Sequence, residues 1–347
     1  MQRLAGPRLA CGRESVRAGR IARDARSFGP PTPDSGRFET SLGLGHRAPM
    51  ATRETLRTGV ADGVFTITLT RGREYNTITP ALRDELAQAI DEGDAERRAH
   101  VILLEAEGPA FCAGYGLDWS TKAQAGEGAR EASGERAWDS VADLRMMSRF
   151  VDTYMKLWKA AKPTIAAVQG WCIGGGTDMV LCADMIVAAS GASFGYPPSR
   201  VWGTPTTAMW VHRMGLERAK RYLLTGDEIP ARKAVELGLI LECVPDEELR
   251  DHAHALARRM AMVPVNQLVM LKLLCNQTAE HMGLGSTRLL GTLFDGIARH
   301  TQEGLDFVGR AETVGFREAV RERDDRFGDY GSGPRGRAKG PRGAGGE

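Results

Sequence analysis

Residues Ala167–Ser199 read AVQGWCIGGGTDMVLCADMIVAASGASFGYPPS, and the reading of the whole chain starts from them. The apolar run Pro163–Val168 leads into this stretch and predicts a buried strand. Gly174, Gly175 and Gly176 follow, and Thr177–Ala183 has the character of a helix. Strand, glycine turn and helix in that order aim free backbone N–H groups at an anion. With no ligand the same layout is only a tight turn.

Upstream, Val64–Leu69 (VFTITL) alternates and predicts the first strand, Pro80–Ile90 a helix, and His100–Glu105 a continuous apolar strand. Asn76 lies where a turn needs a side chain bonded to backbone. Gly108–Gly116 (GPAFCAGYG) is a second glycine-containing loop, freed for close approach of a ligand by Gly114 and Gly116. Residues 120–136 are polar and rich in Gly and Ala, as in a mobile loop. Trp138–Ala161 shows helical spacing through Val141, Leu144, Met147, Val151, Tyr154, Met155 and Trp158, with Asp139, Asp143, Arg145 and Arg149 on a solvated face.

Downstream, Ile186–Ala189 and Leu239–Val244 predict strands. Thr207–Met214, Leu216–Leu223, Ala231–Leu237, Glu247–Met262, Pro264–Gln277, 284–300 and 302–325 predict helices. Residues 1–49 are rich in Arg, Gly, Pro and Ser without apolar periodicity, and 331–347 are similar, so both are expected to be disordered. Met50 is an alternative start, and an Arg-rich transit segment is the other reading of 1–49, with Glu14, Asp24, Asp34 and Glu39 against it. The domain expectation is a core over 50–260 and a helical region over 261–330.

The chain has 347 residues, 42% of them hydrophobic, which suffices for a sizeable core. A net charge of +2 favours no bulk attraction to nucleic acid, and the basic arm lacks interleaved aromatics. No apolar run approaches about 18 residues, so no membrane span is expected. The six cysteines sit in apolar segments without a C-x-x-C pair, which suits thiols in a reducing compartment. His252 and His254 are the only close histidine pair, and no metal site is expected.

The chain resembles the crotonase (enoyl-CoA hydratase/isomerase) superfamily. Lys162-Pro163, Ala166–Val168, Gly170, Gly174–Gly176, Cys182, Asp184 and Phe194-Gly195 carry the likeness. Phe111–Gly114 supports it upstream, and Leu224–Asp227 with Ala231–Leu239 downstream, so that it spans roughly residues 60–325. The resemblance implies an α/β fold: a crotonase (ClpP/crotonase-like) spiral of β-β-α turns, followed by a C-terminal helical trimerisation region. It implies a homotrimer or hexamer acting on an acyl-CoA, with no cofactor beyond the coenzyme A of the substrate and no nucleic-acid or membrane partner. The cytoplasm is the expected location, or an organelle matrix if 1–49 is a transit segment.

By position, the resemblance makes the N–H groups of Ala113 and Gly175 the oxyanion hole. The family hydratases add two Glu. Asp178 occupies the first of these positions and Pro198 the second, and proline transfers no proton. An Arg-Pro turn is replaced by Arg71-Gly72, and a family Asp by Gly116, with an acid only at Asp118. Asp184 matches the family and reads as a turn cap. Gly114, Tyr115, Trp171, Gly174, Tyr196, Pro198 and Trp202 are the expected acyl-binding residues. Trp171 and Tyr196 at the expected pocket walls, among aromatics that include Trp119 and Trp210, suggest a flat, cyclic or aromatic acyl group. Arg71, Arg73, Arg317 and Arg321 are candidates for the CoA phosphates. Three functions follow: an enoyl-CoA hydratase-like lyase with Asp178 as acid/base, helped by Tyr196, Ser199 or water; an isomerase or hydrolase on a cyclic or aromatic acyl-CoA; or an inert acyl-CoA-binding scaffold.

Overall fold

Asp62-Gly63 decides how the described chain begins. Both residues have positive φ (51° and 77°), the geometry of a two-residue hairpin turn. They join β1 (Leu56–Ala61) to β2 (Val64–Leu69) in antiparallel register, Ala61 opposite Val64. The alternation over 64–69 finds its strand, but the pairing strand before it carries no such pattern and is an addition by the structure.

The structure is a computed structural model that describes residues 53–115, 129–132 and 135–330. The arm 1–49, Met50, Gly116, Asp118, Trp119 and the tail 331–347 lie outside these residues. The loop expected over 120–136 is described only in part. Within it, β5 (Ala129–Ala132) and β6 (Glu135–Trp138) form an antiparallel hairpin in place of irregular chain.

Three strand pairs then build the spiral. Each has one strand in a large sheet and the next, a few residues on, in a small one. They are β3 (Val101–Ala106) with β4 (Ala110–Cys112), β7 (Thr164–Val168) with β8 (Trp171–Ile173), and β9 (Met185–Ala189) with β10 (Ser193–Gly195). The large sheet has the order β1-β2-β3-β7-β9-β12 and the small one β11-β10-β8-β4, with β11 at Ile229–Pro230 and β12 at Glu242–Val244. Every large-sheet pair after β1·β2 is parallel. Gly170 makes one sheet switch possible, because a Cβ there would overlap Pro109 O. Asn76 holds its turn as expected, Nδ2 donating to Glu107 O and Ala110 O at 2.8 and 2.9 Å.

Helices cover the large sheet. α1 (Pro80–Ala95) starts with proline at its first position and Thr79 Oγ1 accepting Leu82 N–H. It runs a turn beyond the expected Ile90. α2 (Ser140–Lys159) is capped by Asp139, which accepts from Val141 and Ala142 N–H, and it buries Met146, Met147, Phe150, Val151 and Tyr154. Asp143 is not on a solvated face: it is 2% exposed. α3 (Gly175–Val180) follows the glycine turn. Next come α4 (Met209–Met214), α5 (Leu216–Leu223), α6 (Ala231–Leu237) and α7 (Leu249–Ala261), which packs on β2 and β3. Asp184, expected as a turn cap, is structural in another way: its Oδ2 accepts Thr164 N–H at 2.7 Å and meets Lys272 Nζ at 2.8 Å.

The last helices are α8 (Val265–His281), α9 (Leu284–Arg299), α10 (Gln302–Val314) and α11 (Phe316–Asp325). Gly315, at φ +87°, splits the helix expected over 302–325. The end is locked by Arg200, whose guanidinium meets Asp324 at 2.8 Å and Asp329 at 2.7 Å and lies 3.8 Å above the Phe327 ring. No described helix is long and apolar enough to cross a membrane.

Candidate active site

The chain leaves β8 at Ile173, turns at Gly174 with φ +55°, and begins α3 at Gly175. Gly174 N–H donates to Gly195 O at 2.9 Å, which ties the turn to β10. A Cβ on Gly176 would overlap Cys112 O, so the turn and the end of β4 pack backbone to backbone. Gly175 heads the helix, where an N–H has no carbonyl partner four residues back.

The facing loop is Ala113–Tyr115. Ala113, expected as the second oxyanion donor, gives its N–H to Tyr75 O at 3.1 Å. Gly114 O accepts Ile78 N–H at 2.8 Å. No described peptide is cis, so Tyr115 N–H points the opposite way from Gly114 O, away from Ile78. Gly114 lies beside the turn: a Cβ on it would stand 3.7 Å from Gly175 N.

These segments border a cavity of about 310 Å³. Of the expected acyl-binding residues, Gly114, Tyr115, Gly174, Tyr196, Pro198 and Trp202 line it. Trp171 does not. It stands three residues before Gly174, further back along β8, with its ring 6.0 Å from that of Tyr330. Trp210 is core.

Asp178, expected as the acid/base, is not among the residues that line this cavity. Its side chain is fully buried in the first turn of α3. Oδ1 accepts Thr206 N–H at 3.1 Å and Thr207 Oγ1–H at 3.2 Å, and Oδ2 accepts Thr206 Oγ1–H at 3.0 Å. Tyr196 OH stands 3.4 Å from Oδ2 but makes its short bond, 2.7 Å, to Thr204 O. Burial pushes the Asp178 carboxyl up to about 7, against the lowering effect of the Thr206 and Thr207 donors. One methylene shorter than Glu, the side chain ends among these threonines.

The far wall comes from the last helices. Phe316, Arg317, Val320 and Arg323 of α11 line the cavity, as do Asp295 and Arg299 of α9. Arg317, a candidate for the CoA phosphates, is thus on the cavity wall. Arg321 is turned to solvent and paired with Glu318 and Asp325. Arg71 and Arg73 also stand outside the lining, Arg71 reaching Thr77 O at 3.4 Å. Asp295, Arg299 and Arg323 were not singled out from the sequence. An Asp and an Arg four apart read as a surface pair on a helix; only the fold brings α9 against Asp143 and buries them.

The family description "Enoyl-CoA hydratase/isomerase" matches residues 59–308. A probable enoyl-CoA hydratase of Rhodobacter capsulatus is 30% identical over 235 residues, 67% of this chain and 83% of the relative. The mevalonyl-coenzyme A hydratase of Beauveria bassiana is 36% identical over 190 residues, 53% of this chain and 64% of the relative. Among solved structures, an enoyl-CoA hydratase from Mycobacterium smegmatis superposes with a TM-score of 0.75 at 42% identity, covering 80% of this chain and 96% of that one. The fold is the crotonase spiral. This chain belongs to the enoyl-CoA hydratase/isomerase family.

Proposed function

We propose that this protein adds water across the conjugated double bond of an enoyl-CoA thioester, as an enoyl-CoA hydratase-like lyase. The observation that carries the reading is the pair of backbone segments, Gly174-Gly175 and Gly114-Tyr115, meeting at one apolar cavity. Attack at the β carbon leaves an enolate-like oxygen on the thioester. Two fixed N–H groups in a partly dry site stabilise that charge, each worth about 10²–10³ in rate. Gly175 is one donor in this reading. Tyr115 replaces Ala113 as the other, because Ala113 N–H is engaged with Tyr75 O.

Tyr115, Tyr196 and Trp202 on the cavity wall support a flat or ring-bearing acyl group. Arg317 and Arg323 are suited to the phosphates of coenzyme A, which arrives with the substrate, so no separate cofactor is called for. Asp178 acts here as the anchor of Thr206, Thr207 and Tyr196 and not as the group that meets substrate.

The helices after Met260 are read as the oligomerisation region. Leu273, Leu274, Leu289 and Phe294 are 59%, 72%, 58% and 49% exposed, an apolar surface that supports a homotrimer. Buried thiols at Cys112, Cys172 and Cys182 fit a reducing compartment, the cytoplasm.

The test is purified protein with a panel of straight-chain and ring-bearing enoyl-CoAs, followed by loss of enoyl absorbance and by mass for added water. Turnover of ring-bearing substrates in preference to straight-chain ones is expected. Tight acyl-CoA binding without turnover on any member would sink the hydratase reading. Light scattering reads the oligomer.

A further inference from the structure

Asp295 faces the cavity from α9 and is 7% exposed. One turn further on, Arg299 donates Nε–H to Asp295 Oδ2 at 3.1 Å and both Nη groups to Asp143, each at 3.0 Å. One guanidinium thus serves two carboxylates, and Asp143 takes its two-pronged side. Gly296 permits that approach, since a Cβ there would overlap Asp143 Oδ2. Asp295 Oδ1 has only a 3.4 Å contact with Thr204 N–H, long for a hydrogen bond.

That oxygen and Pro198 both flank Gly203. A Cβ on Gly203 would lie 2.9 Å from Pro198 Cβ, 3.4 Å from Asp295 Oδ1 and 3.8 Å from Tyr196 Cε1, so all three groups surround one point. Position 198 is where the resemblance puts a second carboxylate and this chain has proline. Asp178 is buried away among threonines, and Asp295 is the only carboxylate among the described residues lining the cavity.

Resting on the hydratase reading, we infer that Asp295 is the acid/base of this site, supplied from a C-terminal helix in place of the carboxylate that position 198 lacks. Its carboxylate takes a proton from water as the water oxygen bonds to the β carbon. The π electrons of the double bond move through the α carbon onto the thioester oxygen, held by Gly175 and Tyr115 N–H. The carbonyl re-forms as the α carbon collects the proton from Asp295, giving a 3-hydroxyacyl thioester and the original carboxylate. Arg299 is a positioning residue: it holds Oδ2 and leaves Oδ1 to the cavity.

Burial raises the Asp295 carboxyl above its ordinary range and Asp143 adds to this, against the lowering by Arg299. The other charged or titratable groups around it are Tyr196 and Tyr115, with Asp178 behind Tyr196, and Arg317 and Arg323 on the α11 wall.

The experiment is steady-state hydration by full-length wild type and Asp295→Asn. The expected result is a kcat lower by about 10²–10⁴-fold, as for loss of a general acid/base. KM should stay within about threefold, with thermal midpoint and 3-hydroxyacyl-CoA binding, read by tryptophan quenching, retained. A kcat within about threefold of wild type overturns the inference while leaving the hydratase reading standing. No turnover by wild type on any enoyl-CoA ends both. Asp143→Asn, which leaves Asp295 in place, is the second variant if Asp295→Asn fails to fold. Removing that neighbouring charge should move the acid limb of kcat/KM to lower pH, and an unmoved limb overturns the inference.

Discussion

The two sides of the cavity are built from different materials. On one side the glycine turn and the Gly114 loop present backbone, packed so closely that a Cβ on Gly176 would overlap Cys112 O and one on Gly114 would press on Ile173 O at 3.1 Å. On the other, Asp295 and Arg299 present buried side-chain charge, with Asp143 paired to Arg299 behind them. Backbone donors need little support, because the peptide is rigid and its N–H is part of the turn. Buried carboxylates need a cation and a closed shell of neighbours. Damage to the first side should therefore fall on turnover alone, and loss of the cation from the second on both turnover and stability.

The largest expected effect tests the charged side. Arg299→Met leaves Asp143 and Asp295 buried without their shared cation, a loss of about 3–5 kcal/mol in unfolding free energy. Denaturant melts read it. A loss below about 1 kcal/mol would mean that the side tolerates unpaired charge and that the contrast is false. Next, Gly175→Pro removes the donor at the helix start, where proline's φ is acceptable. Gly175→Ala keeps the N–H but adds the same Cβ contact with the Tyr115 ring and Ile78. The proline variant should lose about 10²–10³ in kcat beyond the alanine one. Equal kcat in the two would remove Gly175 from the oxyanion hole.

A smaller effect belongs to Asp178, which joins the two sides. Thr206→Val deletes the Oγ1–H donor to Asp178 Oδ2 and should cost about 1–3 kcal/mol of stability. An unchanged midpoint would show the carboxyl to be satisfied without it. The last effect is a slope spread over several pH units. The carboxyl of Asp178 moves from an ordinary 3.8 to about 7, so the folded state holds a proton that the unfolded chain has lost. The stability supplied by the neutral carboxyl is complete below pH 3.8 and is lost as pH rises through about 7. Asp178→Asn should abolish a decline of up to about 1.4 kcal/mol per pH unit in that window. A wild-type curve flat or rising relative to the variant's would put Asp178 in the ionised state throughout.

The same contrast explains what could be read in advance. Glycines at turns, alternating strands and the Asn76 fastening are local, and local chemistry shows in the sequence. The first strand did not show, because Leu56–Ala61 is buried on one edge residue and otherwise open, and its Asp62-Gly63 turn was the available signal. Gly174, Gly175 and Gly114 were found for that local reason. Ala113 N–H, expected to face the substrate, goes instead to Tyr75 O, thirty-eight residues back. Asp178 matched by position, but its reach depends on threonines at 206 and 207 that only folding brings near. Asp295 lies 97 residues beyond Pro198, and no periodicity relates two positions so far apart.

Tyr330 gives the molecule an order of assembly. Its hydroxyl donates to Gly226 O at 2.9 Å and lies where a Cβ on Gly195 would be, while Arg200, two residues beyond Pro198, grips Asp324 and Asp329. The cavity thus draws on Tyr75 near one end of the described chain and on helices anchored by residues near the other. Synthesis runs from the N-terminus, and a domain folds as a unit. A ribosome that has passed the glycine turn has therefore supplied the chain for only one wall of the cavity. Competence arrives late, when the segment carrying Asp324 to Tyr330 has emerged and docked.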